Sequence, residues 1–193
     1  MNASIENYLK VYNTAEALSW FTALLFLPFN PMVSFYLIIA AQTLALSEVF
    51  YAWKKWSNST PFYCFIQSTA RLLILFFSYL LLFISIFKPI QWLMPTVLVM
   101  LTVWCIAETT RYVFYISQLF KYKNTIITWL RYTLFIICYP VGVVCEFFIL
   151  FTVFRYNDVL GVKIAIIALG VIYLIYFPKL FMHLLNQRKH KLF

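Results

Sequence analysis

Long apolar stretches dominate this sequence and restrict the chain to folds that can exist inside a lipid bilayer. Of its 193 residues, 64% are hydrophobic and 11% are charged. A soluble domain usually has about 45–50% apolar and about 25% charged residues. A membrane-spanning helix needs about 20 consecutive, mainly apolar residues, and the stretches here reach or approach that length. We therefore predict an all-α, polytopic membrane protein that forms a single membrane domain over residues 1–193.

Six apolar stretches are separated by polar or helix-breaking residues. Asn30-Pro31 divides the first two stretches, Lys88-Pro89 closes the third, and Tyr156-Asn157-Asp158 divides the last two. The first stretch gives a helix of only about 22 Å, short of a hydrocarbon core of about 30 Å, so five spans remain the alternative to six. The predicted helices are 14–29, 32–53, 61–87, 91–119, 125–154 and 160–185, followed by a basic cytosolic tail, 186–193.

Positive charge gathers on one side of the predicted helices. The net charge is +9, from 15 Lys and Arg against 6 Asp and Glu. With six spans, both termini share one face with the loops 54–60 and 120–124, and the positive-inside rule makes that face cytosolic. The basic residues thus set topology, attraction of an anionic ligand or of anionic lipid headgroups is a compatible interpretation, and no nucleic acid partner is expected. The ending Lys189-His190-Lys191-Leu192-Phe193 has the spacing of a dilysine signal for the endoplasmic reticulum, with a plain topological anchor as the alternative.

Several ionisable side chains fall inside the predicted spans, where each costs about 2.5–3.5 kcal/mol and usually pairs, lines a cavity or takes part in function. Most lie within about 10–18 Å of the cytosolic face. This layering indicates a pocket that is polar at a cytosolic mouth and apolar below, suited to an amphiphile with an anionic head. The structural alternative is pairing of Glu108 with Arg111, or of Glu48 with Arg71. The ionisable residues concerned are Glu48, Arg71, Glu108, Arg111, Arg131 and Glu146, and Gln67, Tyr112, Tyr132 and Tyr139 are nearby in the sequence.

Tyr139 and Glu146 are seven residues apart and therefore share one face of the predicted fifth helix. Glu146 has no basic residue within two turns on its own helix, so pairing explains it less well than the other carboxylates. A straight helix would separate the two positions by about 10.5 Å along its axis. Pro140 lies between them and should kink the helix, which could bring the two side chains together.

The stretch Trp129-Leu130-Arg131-Tyr132-Thr133 and the later Cys138-Tyr139-Pro140-Val141-Gly142-Val143-Val144-Cys145-Glu146 resemble the signature of the membrane 3-hydroxyacyl-CoA dehydratases, once called protein tyrosine phosphatase-like proteins. Similar patterns on both sides extend the resemblance over most of the chain. They comprise Tyr8-Leu9, Tyr12-Asn13, Gln67, Arg71, Trp104, Glu108, Arg111, Tyr112, Tyr115, Pro178, His183, Gln187, Arg188 and Lys189.

The resemblance implies an endoplasmic reticulum lyase that converts long- and very-long-chain 3-hydroxyacyl-CoA to trans-2-enoyl-CoA without a cofactor or metal. It also implies that the elongase, the ketoacyl reductase and the enoyl reductase of fatty acid elongation are partners of this protein. The implied catalytic pair is Tyr139 and Glu146. We expect Glu146 to take the proton on carbon 2, because a carboxylate withdrawn from water is the stronger base, and Tyr139 to hydrogen-bond or protonate the leaving hydroxyl; the reverse is possible. The expected substrate-binding residues are Gln67, Arg71, Glu108, Arg111, Tyr112 and Arg131.

Two positions depart from the family pattern. Tyr51 stands where the family has histidine, Lys55 stands where it has glycine, and the first interhelical loop is short. These departures leave open an inactive homologue that serves as a scaffold or lipid-binding subunit of the elongation complex. A phosphatase is excluded, because that chemistry needs arginine six residues after the reactive cysteine; Val144 and Phe151 stand there after Cys138 and Cys145.

Overall fold

The chain is all-α over the residues that its computed structural model describes, which are 3–57, 60–83, 92–122 and 124–192. This part confirms the predicted fold class. The predicted boundary at Lys88-Pro89 lies outside the described residues. The helices are α1 (Ala3–Phe26), α2 (Pro31–Leu44), α3 (Ser47–Trp53), α4 (Pro61–Phe83), α5 (Leu93–Leu119), α6 (Thr125–Arg131), α7 (Phe135–Tyr156) and α8 (Leu160–Leu192).

Five helical stretches of the described chain are long and apolar enough to cross a membrane. They are Pro31–Trp53, Pro61–Leu82, Leu93–Leu119, Thr125–Tyr156 and Leu160–Lys191. The first helix, α1, is not among them, although its 24 residues make it longer than the sequence predicts. It runs antiparallel along α5, since Lys10 lies 4.9 Å from the ring of Phe120 at the end of α5 and Tyr12 lies 6.2 Å from Tyr112 further along.

Asparagine side chains define where two of the helices begin. The Asn30 side chain accepts a hydrogen bond of 3.1 Å from the backbone N–H of Val33, and Pro31 occupies the start of α2. Asn124 accepts hydrogen bonds of 2.8 and 3.1 Å from the backbone N–H groups of Ile126 and Ile127. Such caps satisfy amide donors that a helix start leaves without partners, so these polar breaks in the sequence have a direct structural role.

Two predicted helices are interrupted. The predicted second helix is divided into α2 and α3, and the predicted fifth into α6 and α7. At the start of α7 the backbone forms shorter-range hydrogen bonds, from Ile136 to Thr133 and from Ile137 to Leu134, each 3.1 Å long. Pro140 lies inside α7, and its ring crowds the turn that precedes it. The interruption thus comes before the proline rather than at it.

The last helix extends further than predicted and packs loosely. It continues to Leu192, so the basic tail described here is helical; lysine, arginine and glutamine favour helices, and basic residues are stabilised at a helix C-terminus. Only 6% of the most apolar part of α8 is buried inside the molecule. Its contacts are mainly with α6 and α7, which leaves most of its surface for lipid.

Candidate active site

A cavity of about 620 Å³ opens between α4, α5, α7 and α8, with α2 and α3 at one side. It brings together almost all the site residues expected from the sequence. Tyr112 is the exception, because it does not line the cavity. The expected residues that do line it are Gln67, Arg71, Glu108, Arg111, Arg131, Tyr139 and Glu146.

Glu146 lies deep in the cavity and is held by groups from two other helices. Its side chain is almost fully buried, and its Oε1 accepts a hydrogen bond of 3.0 Å from Trp104 Nε1 on α5. The hydroxyl of Tyr173 on α8 also interacts with this carboxylate. Gly142 lies one turn earlier, where an added Cβ would be 3.4 Å from Trp104 Nε1. The indole therefore lies against α7 at this glycine, close to van der Waals contact and beside the carboxylate.

Tyr139 lines the same cavity and lies about two turns before Glu146 on α7. Its ring stacks on Phe177 at 5.2 Å and is nearly parallel to Phe181 at 6.4 Å, both on α8. Its hydroxyl lies within electrostatic range of Glu146 and Arg71. The seven-residue spacing thus directs the side chains of both residues into the same cavity. The stacking on Phe177 and Phe181 fixes the orientation of the Tyr139 ring.

A network of ion pairs joins α3, α4 and α5 beside the cavity. Arg111 forms two hydrogen bonds with Glu48, of 3.0 and 2.9 Å, and its Nε lies 2.7 Å from Glu108 Oε2. Glu108 also pairs with Arg71. The predicted pair of Glu108 and Arg111 is therefore present, whereas Glu48 pairs with Arg111 instead of Arg71. Two arginines and two carboxylates compensate one another, which is how charges persist in such surroundings.

Tyr112 belongs to this network rather than to the cavity wall. It is fully buried, and its hydroxyl donates a hydrogen bond of 2.6 Å to Glu48 Oε1 while it accepts one of 2.8 Å from Arg111 Nη2. Its ring faces Tyr12 of α1. The sequence expectation of substrate contact does not match this placement; the side chain holds Glu48 and Arg111 in position.

Arg131 differs from the other two arginines of the cavity. Within residues 3–57, 60–83, 92–122 and 124–192 it forms no ion pair and no hydrogen bond through its side chain. Lys179 and His183 of α8 line the same part of the cavity. Within the described residues the guanidinium of Arg131 therefore has no carboxylate partner in direct contact, so its positive charge is available to an anionic ligand.

The two departures from the family pattern lie away from this cavity. Tyr51 packs its ring against Tyr12 at 5.0 Å, and its hydroxyl is 2.7 Å from that of Tyr8. Lys55 has a φ of 56°, a left-handed conformation that favours glycine. The substitution at Lys55 therefore affects backbone strain in a turn, and neither residue lines the cavity.

Sequence reasoning gave no role to Trp104 and missed Tyr173. The signal for Tyr173 was present in the spacing of Tyr173, Tyr176, Phe177 and Leu180. These positions recur at helical intervals and form one face of α8. That face is the one that closes the cavity over α7.

These features define a multi-pass helical membrane protein with an open cavity in which buried ionisable side chains lie among apolar ones, as in the sites of membrane enzymes. A family model described as "Protein tyrosine phosphatase-like protein, PTPLA" matches residues 42–193. The chain belongs to this family, which confirms the resemblance drawn from its residues.

Relatives of this chain are dehydratases by name. It is 30% identical over 158 residues to the "Probable very-long-chain (3R)-3-hydroxyacyl-CoA dehydratase" of Schizosaccharomyces pombe, covering 72% of this chain and 70% of that protein. It is 31% identical over 109 residues to "Very-long-chain (3R)-3-hydroxyacyl-CoA dehydratase 2" of Mus musculus, covering 49% and 43%. It is 32% identical over 117 residues to dehydratase 1 of Canis lupus familiaris, covering 53% and 47%. The alignments thus span less than half of the two mammalian relatives. No solved structure matches the chain significantly.

Proposed function

We propose that this protein dehydrates long- and very-long-chain 3-hydroxyacyl-CoA to trans-2-enoyl-CoA, a carbon–oxygen lyase reaction of fatty acid elongation. The observation that carries the proposal is the presence of Tyr139 and Glu146 in one cavity, with the carboxylate buried and held by Trp104. The names of the relatives support the same reaction. The position of Tyr51 and Lys55 outside the cavity argues against an inactive scaffold.

The reaction needs one group that takes a proton and one that gives a proton. Trp104 donates a hydrogen bond to Glu146 Oε1 and the Tyr173 hydroxyl also interacts with the carboxylate; held in this way, Glu146 takes the proton on carbon 2. Tyr139 donates its hydroxyl proton toward the oxygen on carbon 3. The carbon–hydrogen bond breaks, the double bond between carbons 2 and 3 forms, and the carbon–oxygen bond breaks to release water. The reverse assignment of acid and base has the same balance of atoms.

The remaining polar residues divide into two groups. Arg131 is the arginine best suited to the phosphates of coenzyme A, because its charge is not compensated within the described chain, and Gln67 offers an amide to the neutral part of the substrate. Arg71, Glu108 and Arg111 brace the helices that form the wall.

The proposed location is the endoplasmic reticulum membrane, in association with the elongase and the two reductases. We infer six spans with both termini in the cytosol. The antiparallel packing of α1 along α5, from Lys10 beside Phe120 to Tyr12 beside Tyr112, supports a first span.

A glycosylation acceptor should report this topology. Placed on a flexible insert in the turn 27–30, it should be glycosylated in endoplasmic reticulum membranes, whereas an acceptor in an N-terminal extension should not, because α1 crosses the membrane between them. An acceptor inserted at 121–124 provides a cytosolic control. Glycosylation of the N-terminal extension would show that α1 does not span.

Trp104→Phe should lower turnover about tenfold to a hundredfold, because the buried carboxylate of Glu146 loses the donor that orients it and small misplacements of catalytic groups have effects of this order. The measurement is kcat for enoyl-CoA formation by the purified variant. Trp129→Phe is the matched control, since Trp129 is exposed and does not line the cavity. Equal rates for both variants would show that Trp104 does not orient Glu146 for the reaction.

A cellular test addresses the reaction itself. Cells depleted of their own 3-hydroxyacyl-CoA dehydratase should accumulate 3-hydroxyacyl-CoA, and expression of this chain should return those pools to normal. Expression of the membrane-inserted protein with no change in the pools would favour the scaffold alternative.

A further inference from the structure

Among the described residues, the cavity does not continue along the axes of α4, α5 and α7. Glu146 is the deepest residue of α7 that lines it, Arg71 the deepest of α4, and Val103 that of α5. The next turns of these helices supply Ile74, Met100 and Ile149, each 0% exposed and packed into the hydrophobic core. A substrate whose carbons 2 and 3 lie between Tyr139 and Glu146 therefore has no straight path for a long acyl chain beneath them.

The described parts of α4 and α8 are loosely packed against each other beside the cavity. In the described parts of the chain these two helices share no extended packing, whereas α8 packs on α7 and α4 packs on both α7 and α5. Ile66 and Ala70 line the cavity from α4, and Ile172 and Tyr173 line it from α8. Phe65 and Val171 are the neighbours of Ile66 and Ile172 in the sequence, and both are exposed on the outer faces of their helices. The gap therefore leads from the cavity to the lipid-facing surface.

Aromatic side chains close this gap at its cytosolic end. The rings of Phe62 and Tyr63, at the start of α4, lie 6.3 and 6.2 Å from the ring of Tyr176 on α8. Arg131 and His183 line the cavity on the cytosolic side. The cluster of Phe62, Tyr63 and Tyr176 thus separates a charged mouth from an apolar window bounded by Ile66 and Ile172.

We propose that the acyl tail of the substrate leaves the cavity through this window, between α4 and α8, and lies in the bilayer while carbons 1 to 3 remain at Tyr139 and Glu146. This rests on the proposed dehydratase function. Hydrocarbon of the bilayer is as apolar as the tail, so the tail remains in a favourable environment. The closed floor then sets no upper limit on chain length, and specificity for long chains does not require a deep pocket.

Narrowing the window tests the proposal. Ile66→Trp and Ile172→Trp should each lower kcat/KM for a twenty-carbon 3-hydroxyacyl-CoA about tenfold or more, as a steric misfit in an apolar pocket does. The rate with an eight-carbon substrate should stay within about twofold of wild type, because that tail ends at the window. Phe65→Trp and Val171→Trp are matched controls on the adjacent lipid-facing positions, and they should leave both rates unchanged.

The two substrates separate this proposal from the dehydratase proposal. A wild-type protein inactive on both chain lengths would contradict the dehydratase function itself. If the wild type is active and the window variants lose activity equally on the eight-carbon and twenty-carbon substrates, the lateral exit alone is contradicted. The same holds if the window variants keep full activity on both substrates. Independently of any variant, a substrate with a photoreactive diazirine near the end of a twenty-carbon tail should label α4 and α8 at the window together with bilayer lipid; labelling confined to α5 would overturn the proposal.

Discussion

Glu146→Gln should lower the rate of enoyl-CoA formation by at least about a hundredfold, the scale of a lost general base or acid. Glutamine keeps the shape of the side chain and an oxygen that can accept the hydrogen bond from Trp104, but its amide cannot take the proton on carbon 2. Tyr139→Phe should have an effect of the same order, since the stacked ring remains on Phe177 while the hydroxyl is lost. The measurement is kcat at saturating substrate.

Matched controls keep this result specific to the site. Glu6→Gln removes a carboxylate that pairs with Lys10 near the start of α1 and does not line the cavity, and Tyr122→Phe removes a hydroxyl from an exposed ring between α5 and α6. Both should retain wild-type turnover. Binding of the acyl-CoA to the inactive variants, measured by fluorescence titration, should persist. A Glu146→Gln protein with a wild-type rate would exclude this carboxylate from the chemistry.

Arg111→Met should destabilise the folded protein by about 3–5 kcal/mol, the cost of breaking a buried ion pair on one side only. Arg111 lies between Glu48 and Glu108, with hydrogen bonds of 2.9 and 3.0 Å to the first and a contact of 2.7 Å to the second. Without it, Glu48 loses its ion-pair partner and Glu108 is left with Arg71. The measurement is the thermal unfolding midpoint in detergent micelles, compared with Arg155→Met at the exposed end of α7.

A second substitution distinguishes charge from packing in that network. Adding Glu48→Gln to Arg111→Met removes the carboxylate left without its partner and should recover part of the lost stability, since the remaining charges are Arg71 and Glu108, which pair directly. The unfolding midpoint of Glu48→Gln alone is the reference. If adding Glu48→Gln to Arg111→Met lowers the midpoint by as much as Glu48→Gln lowers that of the wild type, the two residues act independently. The network would then not hold α3 to α5.

The apolar stretches were sufficient to predict the helices, because hydrophobic length and polar breaks such as Asn30 and Asn124 act locally. The interruptions between α2 and α3 and between α6 and α7 were not predicted, since hydropathy is continuous through both. The continuation of α8 to Leu192 was missed for another reason: lysine and arginine at a helix end are as compatible with a helix as with a tail.

Contacts within one helix were also predictable, whereas contacts between helices were not. The spacing of Tyr139 and Glu146 and that of Glu108 and Arg111 follow from the helical repeat. The contact of Trp104 with Glu146 depends on how α5 packs on α7. Local sequence patterns do not predict that packing. Tyr112 points away from the cavity because adjacent residues of a helix lie about 100° apart around its axis, so proximity to Arg111 in sequence did not place it beside substrate.

Turnover by the purified wild-type protein tests the central claim most directly. The protein in detergent micelles would be mixed with a twenty-carbon 3-hydroxyacyl-CoA, and the products resolved by mass spectrometry. The account predicts loss of one water per substrate and accumulation of trans-2-enoyl-CoA, with the same reaction reversed when enoyl-CoA is supplied. Binding of the acyl-CoA without formation of any enoyl-CoA would contradict it and would identify the chain as a lipid-binding subunit.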